Sequence, residues 1–229
     1  MYKLYTLVLL LVINGCSSVT SNEVIKLDSQ SITTVSPKII EEKLEQTPFD
    51  IWERIRLELT LVIPQDQIAA TSIYRERLYK NQSAVNRISK SGQRYLHHTL
   101  TRAEELGLPV ELALLPFVES EFDPYAKSVD GATGIWQFMP ATGKEWGLKT
   151  NWWYDGKKDV LASTEAALQF LTYLNEKFDG DWLLAMAAYN TGPTRVNRAI
   201  RKNKRQDKPT RFWDLDLPKE TTAYVPKLL

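Results

Sequence analysis

The sequence predicts an all-α domain, α+β at most through one minor hairpin, and three observations carry that prediction. From Trp52 onward, apolar residues recur at steps of three, four and seven, the spacing that lines one face of a 3.6-residue helix. Gly, Pro, Asn and Asp fall between those runs, where helices start and stop. Strand-like alternation is weak everywhere, and only Ser128 to Thr133 offers a candidate hairpin.

The chain opens on a targeting signal rather than on fold. Lys3 supplies a positive charge, and Leu4 to Ile13 form an apolar run too short to cross a bilayer as a permanent helix. Residues 1–15 are therefore expected to be a signal peptide. Ile13-Asn14-Gly15-Cys16 resembles a bacterial lipobox, with a small residue just before the single cysteine of the chain. A lone Cys makes no internal disulfide, and the alternative is an ordinary secretory signal with a small buried Cys. The lipobox reading makes Cys16 the lipidated first residue of the mature chain and its membrane anchor. Ser17, where an Asp would mark other sorting, points to the periplasmic face of the outer membrane. Residues 16–47 are rich in Ser, Thr, Glu and Lys and cannot bury enough apolar surface to offset their ordering entropy. They read as a flexible tether, with a short helical turn at Ile39, Ile40 and Leu44 as the one reservation.

Residues 48–229 suit one compact domain with a sizeable core. Trp52, Ile55 and Leu59 make a helical stripe after Pro48, and Pro64 ends it. A second helix, polar on its face, is predicted from Asp66 to Lys80, broken at Asn81. Ser83 to Leu106 is predicted as the longest helix, on Ile88, Tyr95, Thr99, Ala103 and Leu106, and Gly107 stops it. Leu108-Pro109 starts the next with Pro at its first position. Pro116 inside that helix should bend it.

The bent helix carries Leu112, Leu115 and Val118 on its apolar face and then delivers Glu119 at the edge of a loop rich in Gly and Asp. A carboxyl group with one side in the core has its charged form disfavoured, which raises its pKa and suits a general acid near neutral pH. Ser120 beside it can offer a hydroxyl. The competing reading is a solvated helix-end carboxylate.

Pro140 opens a short helix that Gly147 closes, and an Asn151-Trp152-Trp153-Tyr154-Asp155 loop follows. Val160, Thr164, Leu168, Leu171, Leu174 and Phe178 mark a helix from Asp159 to Phe178, with Leu161, Leu168 and Leu174 assigned to the core. Asp179-Gly180 breaks it. Asp181 is a fair N-cap for Trp182 to Tyr189, apolar all round and so expected to be buried. Thr191-Gly192-Pro193 turns the chain into a further helix reaching about Asn203.

Four segments in order resemble the motifs of the lytic transglycosylases, enzymes that cut the glycan strands of peptidoglycan. They are Glu119-Ser120-x-Phe122-Asp123-Pro124, Gly134-Ile135-Trp136-Gln137-Phe138-Met139-Pro140, Ala188-Tyr189-Asn190, and Glu220-Thr221-x-x-Tyr224-Val225. The resemblance runs from about Phe49 to the end, and Trp136 before the motif Gln fits the membrane-bound branch. It implies a lysozyme-like helical domain with a cleft between lobes. Glu119 then corresponds to the catalytic carboxyl, and Ser120, Gln137, Tyr189, Asn190 and Tyr224 would contact or order the substrate. For Tyr189 a packed aromatic is an equal reading, and for Asn190 a helix cap is the alternative. The reaction implied is cleavage between N-acetylmuramic acid and N-acetylglucosamine without water, leaving 1,6-anhydro ends. Thr222 stands where the family commonly has Arg. Members of the branch often carry LysM repeats after the catalytic domain, whereas this sequence ends directly after the last motif: a shortened member and a fragment both fit.

Other functions are weighed by the same residues. Net charge is +1, against a nucleic-acid binder. His97 and His98 are adjacent and diverge by about 100° on a helix, and no HExxH or CxxC spacing is present. No metal and no cofactor are expected. Arg195, Arg198, Arg201, Lys202, Lys204 and Arg205 read as a solvated helix face. Seven Trp exceed what a core of this size needs and suit stacking on sugars. The expected partners are glycan strands and, through Cys16, a membrane, with the protein itself a monomer. A hydrolytic lysozyme and a catalytically idle wall-binding lipoprotein are the alternatives.

Overall fold

The computed structural model describes residues 50–229. Cys16, the signal peptide and the tether lie outside the described residues. Ten α-helices among them run in chain order as α1 (Ile51–Glu58), α2 (Ile68–Lys80), α3 (Gln82–Gly92), α4 (Leu96–Glu105), α5 (Leu115–Ser120), α6 (Pro140–Glu145), α7 (Val160–Lys177), α8 (Trp182–Thr191), α9 (Pro193–Lys204) and α10 (Lys219–Leu228). Short 3₁₀ turns cover Gln65–Gln67, Val110–Leu114 and Phe212–Asp214. The all-α prediction holds. Strand pairing among the described residues is confined to isolated antiparallel bridges, Lys127 with Thr133, Thr133 with Phe138 and Thr150 with Asp155. The hairpin expected at Ser128 to Thr133 is thus present in minimal form, the Ser128 N–H donating to the Ala132 carbonyl at 2.9 Å.

Helix α8 is the axis. Leu184 to Ala188 are all buried, and α7, α9 and α10 each pack against it. Its alanines let three neighbours approach closely, so the helix is apolar all round as its composition requires. Asp159 and Asp181 start α7 and α8 by accepting from the Ala162 and Leu184 amides, both at 3.0 Å; each satisfies a donor the first helical turn leaves free. The α4 helix lies on the Val110–Leu114 turn and on α7, joined to α7 by an Arg102–Glu165 ion pair.

Several expectations are corrected. The long helix from Ser83 to Leu106 is two helices, broken after Gly92, where a Cβ would come within 2.8 Å of the Phe117 ring. Pro109 is the N-cap rather than the first residue of its element, and Pro116 does not bend a helix. It sits in the first turn of α5, where a missing N–H costs nothing, so the stretch divides into a 3₁₀ turn and a short α-helix. Leu161 is 61 % exposed and not core: its i, i+7 spacing to Leu168 puts it on the buried face, but it lies in the first turn of its helix, where that face is still open to solvent. Helix α10 went unpredicted, since Pro226 lies within it and its apolar residues are few.

One buried carboxylate carries a connection far apart in sequence. Glu111 is buried, and its Oε1 accepts from the Thr60 and Leu61 amides at 2.7 and 2.6 Å. The segment after α1 is thereby fastened to the turn that leads into α5.

Candidate active site

Glu119 occupies the last turn of α5, half-buried. The chain then turns through two consecutive left-handed residues, Glu121 at φ 53° and Phe122 at φ 61°, a conformation that costs on the order of 1 kcal/mol or more for each non-glycine residue. The surroundings hold it there. Phe122 is buried and meets Phe117 edge to face at 4.6 Å. Arg87 grips the Glu121 carboxylate with two hydrogen bonds of 2.8 Å, and Ser91 donates to the Glu121 carbonyl at 2.5 Å. The turn therefore fixes where α5 ends and where Glu119 points.

The Glu119 carboxyl is pushed up to about 7, first by burial and further by the charge of Glu220, against a lowering by the Tyr224 hydroxyl. Tyr224 donates to Glu119 Oε1 at 2.5 Å. Buried itself and next to Glu119, Tyr224 has its pKa raised well above the usual phenol value, so it stays a donor across the working pH range. Glu121, by contrast, is held below the usual carboxylate range by its hydrogen bonds to Arg87. Of the two acids in this turn, only Glu119 can carry a proton near neutral pH.

The Gly134–Phe138 loop is ordered from both sides. Ser120 Oγ donates to the Ile135 carbonyl at 2.9 Å, Tyr189 Oη to the Trp136 carbonyl at 2.8 Å, and the buried Trp136 indole to Thr164 Oγ1 at 3.0 Å. Gln137 has φ 48° and its Nε2 donates to the Gly134 carbonyl at 2.8 Å. Its Nε2 is thereby engaged by the loop, which leaves Oε1 as the group to offer. Tyr189 is packed against Phe138 and Phe170, and its pKa is raised well above the usual phenol value, first by burial and then by the charge of nearby Glu119. Asn190 Oδ1 accepts from Thr221 Oγ1 at 2.8 Å, so it ties α8 to α10 rather than capping a helix. Asp123 accepts from the Tyr125 amide at 2.8 Å, a turn contact as its place before Pro124 suggests.

Glu119, Tyr189, Tyr224 and Glu220 thus share one locus, with Ser120 and Gln137 attached through the loop between them. Glu220 and Thr221 belong to the last of the four motifs, which by itself assigns them no role. Their signal is the i, i+4 spacing of Glu220 and Tyr224, which puts both on one face of α10. A separate cavity of about 500 Å³, lined by Trp52, Tyr74, Val85, Ile88, Phe117 and Leu228 among others, does not include Glu119. Among the described residues no group of three His, Cys, Asp or Glu side chains is placed to hold a metal ion.

A family model described as the transglycosylase SLT domain matches residues 90–212. Over 180 residues the chain is 44% identical to membrane-bound lytic murein transglycosylase D of Escherichia coli, covering 79% of this chain and 39% of that protein. Over 124 residues it is 45% identical to a putative tributyltin chloride resistance protein of Alteromonas sp. (strain M-1), covering 54% of this chain and 60% of that protein. Among solved structures, the 70 kDa soluble lytic transglycosylase from Escherichia coli superposes with a TM-score of 0.50 at 18% identity, over 83% of this chain and 41% of that one. That likeness shows the lysozyme-like fold. The chain spans about two fifths of the length of its transglycosylase D relative. With the matched segment taking in more than half of the sequence and holding Glu119, the Gln137 loop, Tyr189 and Asn190, the chain belongs to the transglycosylase SLT domain family.

Proposed function

We propose that this protein is a peptidoglycan lytic transglycosylase in which Glu119 is the single acid–base group. The observation that carries the reading is the Glu119 carboxyl at the end of α5, held by the Tyr224 hydroxyl at 2.5 Å and pushed up to about 7, first by burial, so that it can both give and take a proton near neutral pH. Glu119 protonates the oxygen linking N-acetylmuramic acid to N-acetylglucosamine. As carboxylate it then takes the proton of the 6-hydroxyl of the same muramoyl ring while that oxygen closes on C1. Keeping nucleophile and electrophile in one ring supplies proximity that a water would have to gain by being positioned. Tyr224 orients the carboxyl, Gln137 Oε1 accepts from a sugar group, Ser120 and Tyr189 set the loop that presents Gln137, and Asn190 braces α10.

A hydrolytic lysozyme is the second reading, and Glu220 is the observation that favours it. Hydrolases of this kind use a second carboxylate across the scissile bond, and Glu220 is the carboxylate whose charge reaches Glu119. It is exposed and shares a helix face with Tyr224, so its weight here is on the protonation of Glu119 rather than on a water.

The pH profile tests that assignment through two opposite shifts. A general acid works while protonated, so kcat/KM falls as pH rises through the pKa of Glu119. Tyr224→Phe removes the hydroxyl that lowers this pKa, and the alkaline limb should move to higher pH. Glu220→Gln removes the charge that raises it, and the limb should move to lower pH. Both variants titrating like the wild type would mean that another group carries the proton.

The cellular reading completes the proposal: a signal peptide at 1–15, lipid on Cys16, a tether over 16–47 and the domain over 48–229, monomeric at the periplasmic face of the outer membrane. Among the described residues no helix is long and apolar enough to cross a membrane. Mass spectrometry of the mature protein should find a diacylglyceryl-modified Cys16, and an intact N-terminal signal would contradict it.

A further inference from the structure

Trp152 and Trp153 stand 88 % and 68 % exposed, although indoles are among the side chains that gain most from burial. They are not loose. Asn151 Oδ1 accepts from the Trp153 and Tyr154 amides at 3.1 and 2.9 Å, and the Asn151 N–H donates to the Tyr154 carbonyl at 2.8 Å. Tyr154 Oη donates to Asp159 at 3.0 Å, and Lys157 Nζ to Asp155 at 2.6 Å. The two indoles meet edge to face at 4.3 Å. A loop ordered in advance loses little further entropy when something binds to it.

The base of this loop is joined to the wall of the candidate active site. A Cβ on Gly134 would lie 1.7 Å from the Lys157 carbonyl oxygen, so the two backbones are in direct contact there. The carbonyl of the same Gly134 holds the Gln137 side chain. Tyr125, 76 % exposed, flanks that wall on the segment before it. Asn151 to Tyr154, the stretch that carries the indoles, is uncharged, with the exposed Lys149 and Lys158 on either side of it; what the indoles themselves present is a flat apolar surface. An uncharged ring with a flat apolar face, presented by a strand that already passes Gln137, is the ligand these features fit.

We propose that Trp152 and Trp153 form a second binding surface for the glycan strand, continuous with the Gln137 wall, on which a sugar ring stacks away from the bond being cut. The proposal rests on the peptidoglycan reading above for the identity of the strand. Its effect is on affinity and on how long a strand stays in register, not on proton transfer.

The test is the double variant Trp152→Ala, Trp153→Ala in the full chain, whose melting temperature should match the wild type because both side chains are exposed. Co-sedimentation with insoluble peptidoglycan should weaken about tenfold, the size of effect that aromatic contacts of this kind contribute. In turnover of long glycan strands, KM should rise by a similar factor with kcat unchanged. Wild-type binding and KM in the variant would overturn the proposal while leaving the transglycosylase reading intact. A wild type that binds peptidoglycan without cleaving it would sink the catalytic reading, and the sedimentation comparison would still decide this one. With Cys16→Ser in both proteins so that no lipid anchor contributes, loss of binding to phosphatidylethanolamine–phosphatidylglycerol vesicles, with peptidoglycan binding unaltered, would assign the indoles to a lipid surface and also overturn it.

Discussion

Glu119→Gln is expected to leave a folded protein that turns over peptidoglycan more slowly by a factor on the order of 10²–10⁴. Gln keeps the volume and can still accept from the Tyr224 hydroxyl, now 2.5 Å from the carboxyl, so the geometry at the end of α5 should survive. What it lacks is a proton to give and a charge to take one back. The loss should fall on kcat, with peptidoglycan co-sedimentation and melting temperature close to wild type. Near-wild-type turnover would place the acid elsewhere, and Glu121 is a poor substitute, since Arg87 keeps it ionised.

Gly134→Ala should be the most damaging single methyl in the domain. Its Cβ would fall 1.7 Å from the Lys157 carbonyl oxygen, which is backbone and cannot swing aside. The residue also sits at φ 84°, a region an alanine enters only with strain. Overpacking and backbone strain together should cost on the order of 3–4 kcal/mol, or about 10 °C in Tm for a domain of this size. Because the Gln137 loop is anchored at that point, activity should fall further than stability alone explains. An unchanged Tm would show that the Gly134 and Lys157 backbones are not in contact.

What the sequence made legible was whatever depends on residues near one another in the chain. Asp159 and Asp181 announce α7 and α8, Gly107 ends α4, and the unbroken apolar run after Asp181 marks the central helix. Glu119 was readable for the same reason: an apolar stripe followed at once by a turn places a carboxyl at the edge of the core. The rest depends on partners far apart. Ser83 to Leu106 is two helices rather than one, and Gly92 at the end of the first leaves room for the distant Phe117 ring, a contact no local pattern announces. Ser120, Gln137 and Tyr189 looked like substrate contacts, but each has a polar group committed to the Gly134–Phe138 loop, through carbonyls that no residue type announces. Tyr224 reaches Glu119 across 105 positions. It does so from a helix whose Pro226 and sparse apolar residues hid it, and Glu220 was overlooked with it.

The most direct test of the account is to digest purified peptidoglycan in oxygen-18 water and identify the new chain ends by mass spectrometry. One acid–base carboxyl working on the muramoyl ring itself predicts 1,6-anhydro-N-acetylmuramoyl ends, lighter than hydrolysed ends by one water and free of label. Reducing ends carrying the heavy oxygen would mean that water is the nucleophile. They would contradict the transglycosylase assignment and turn attention to Glu220 as the second carboxylate of a hydrolase.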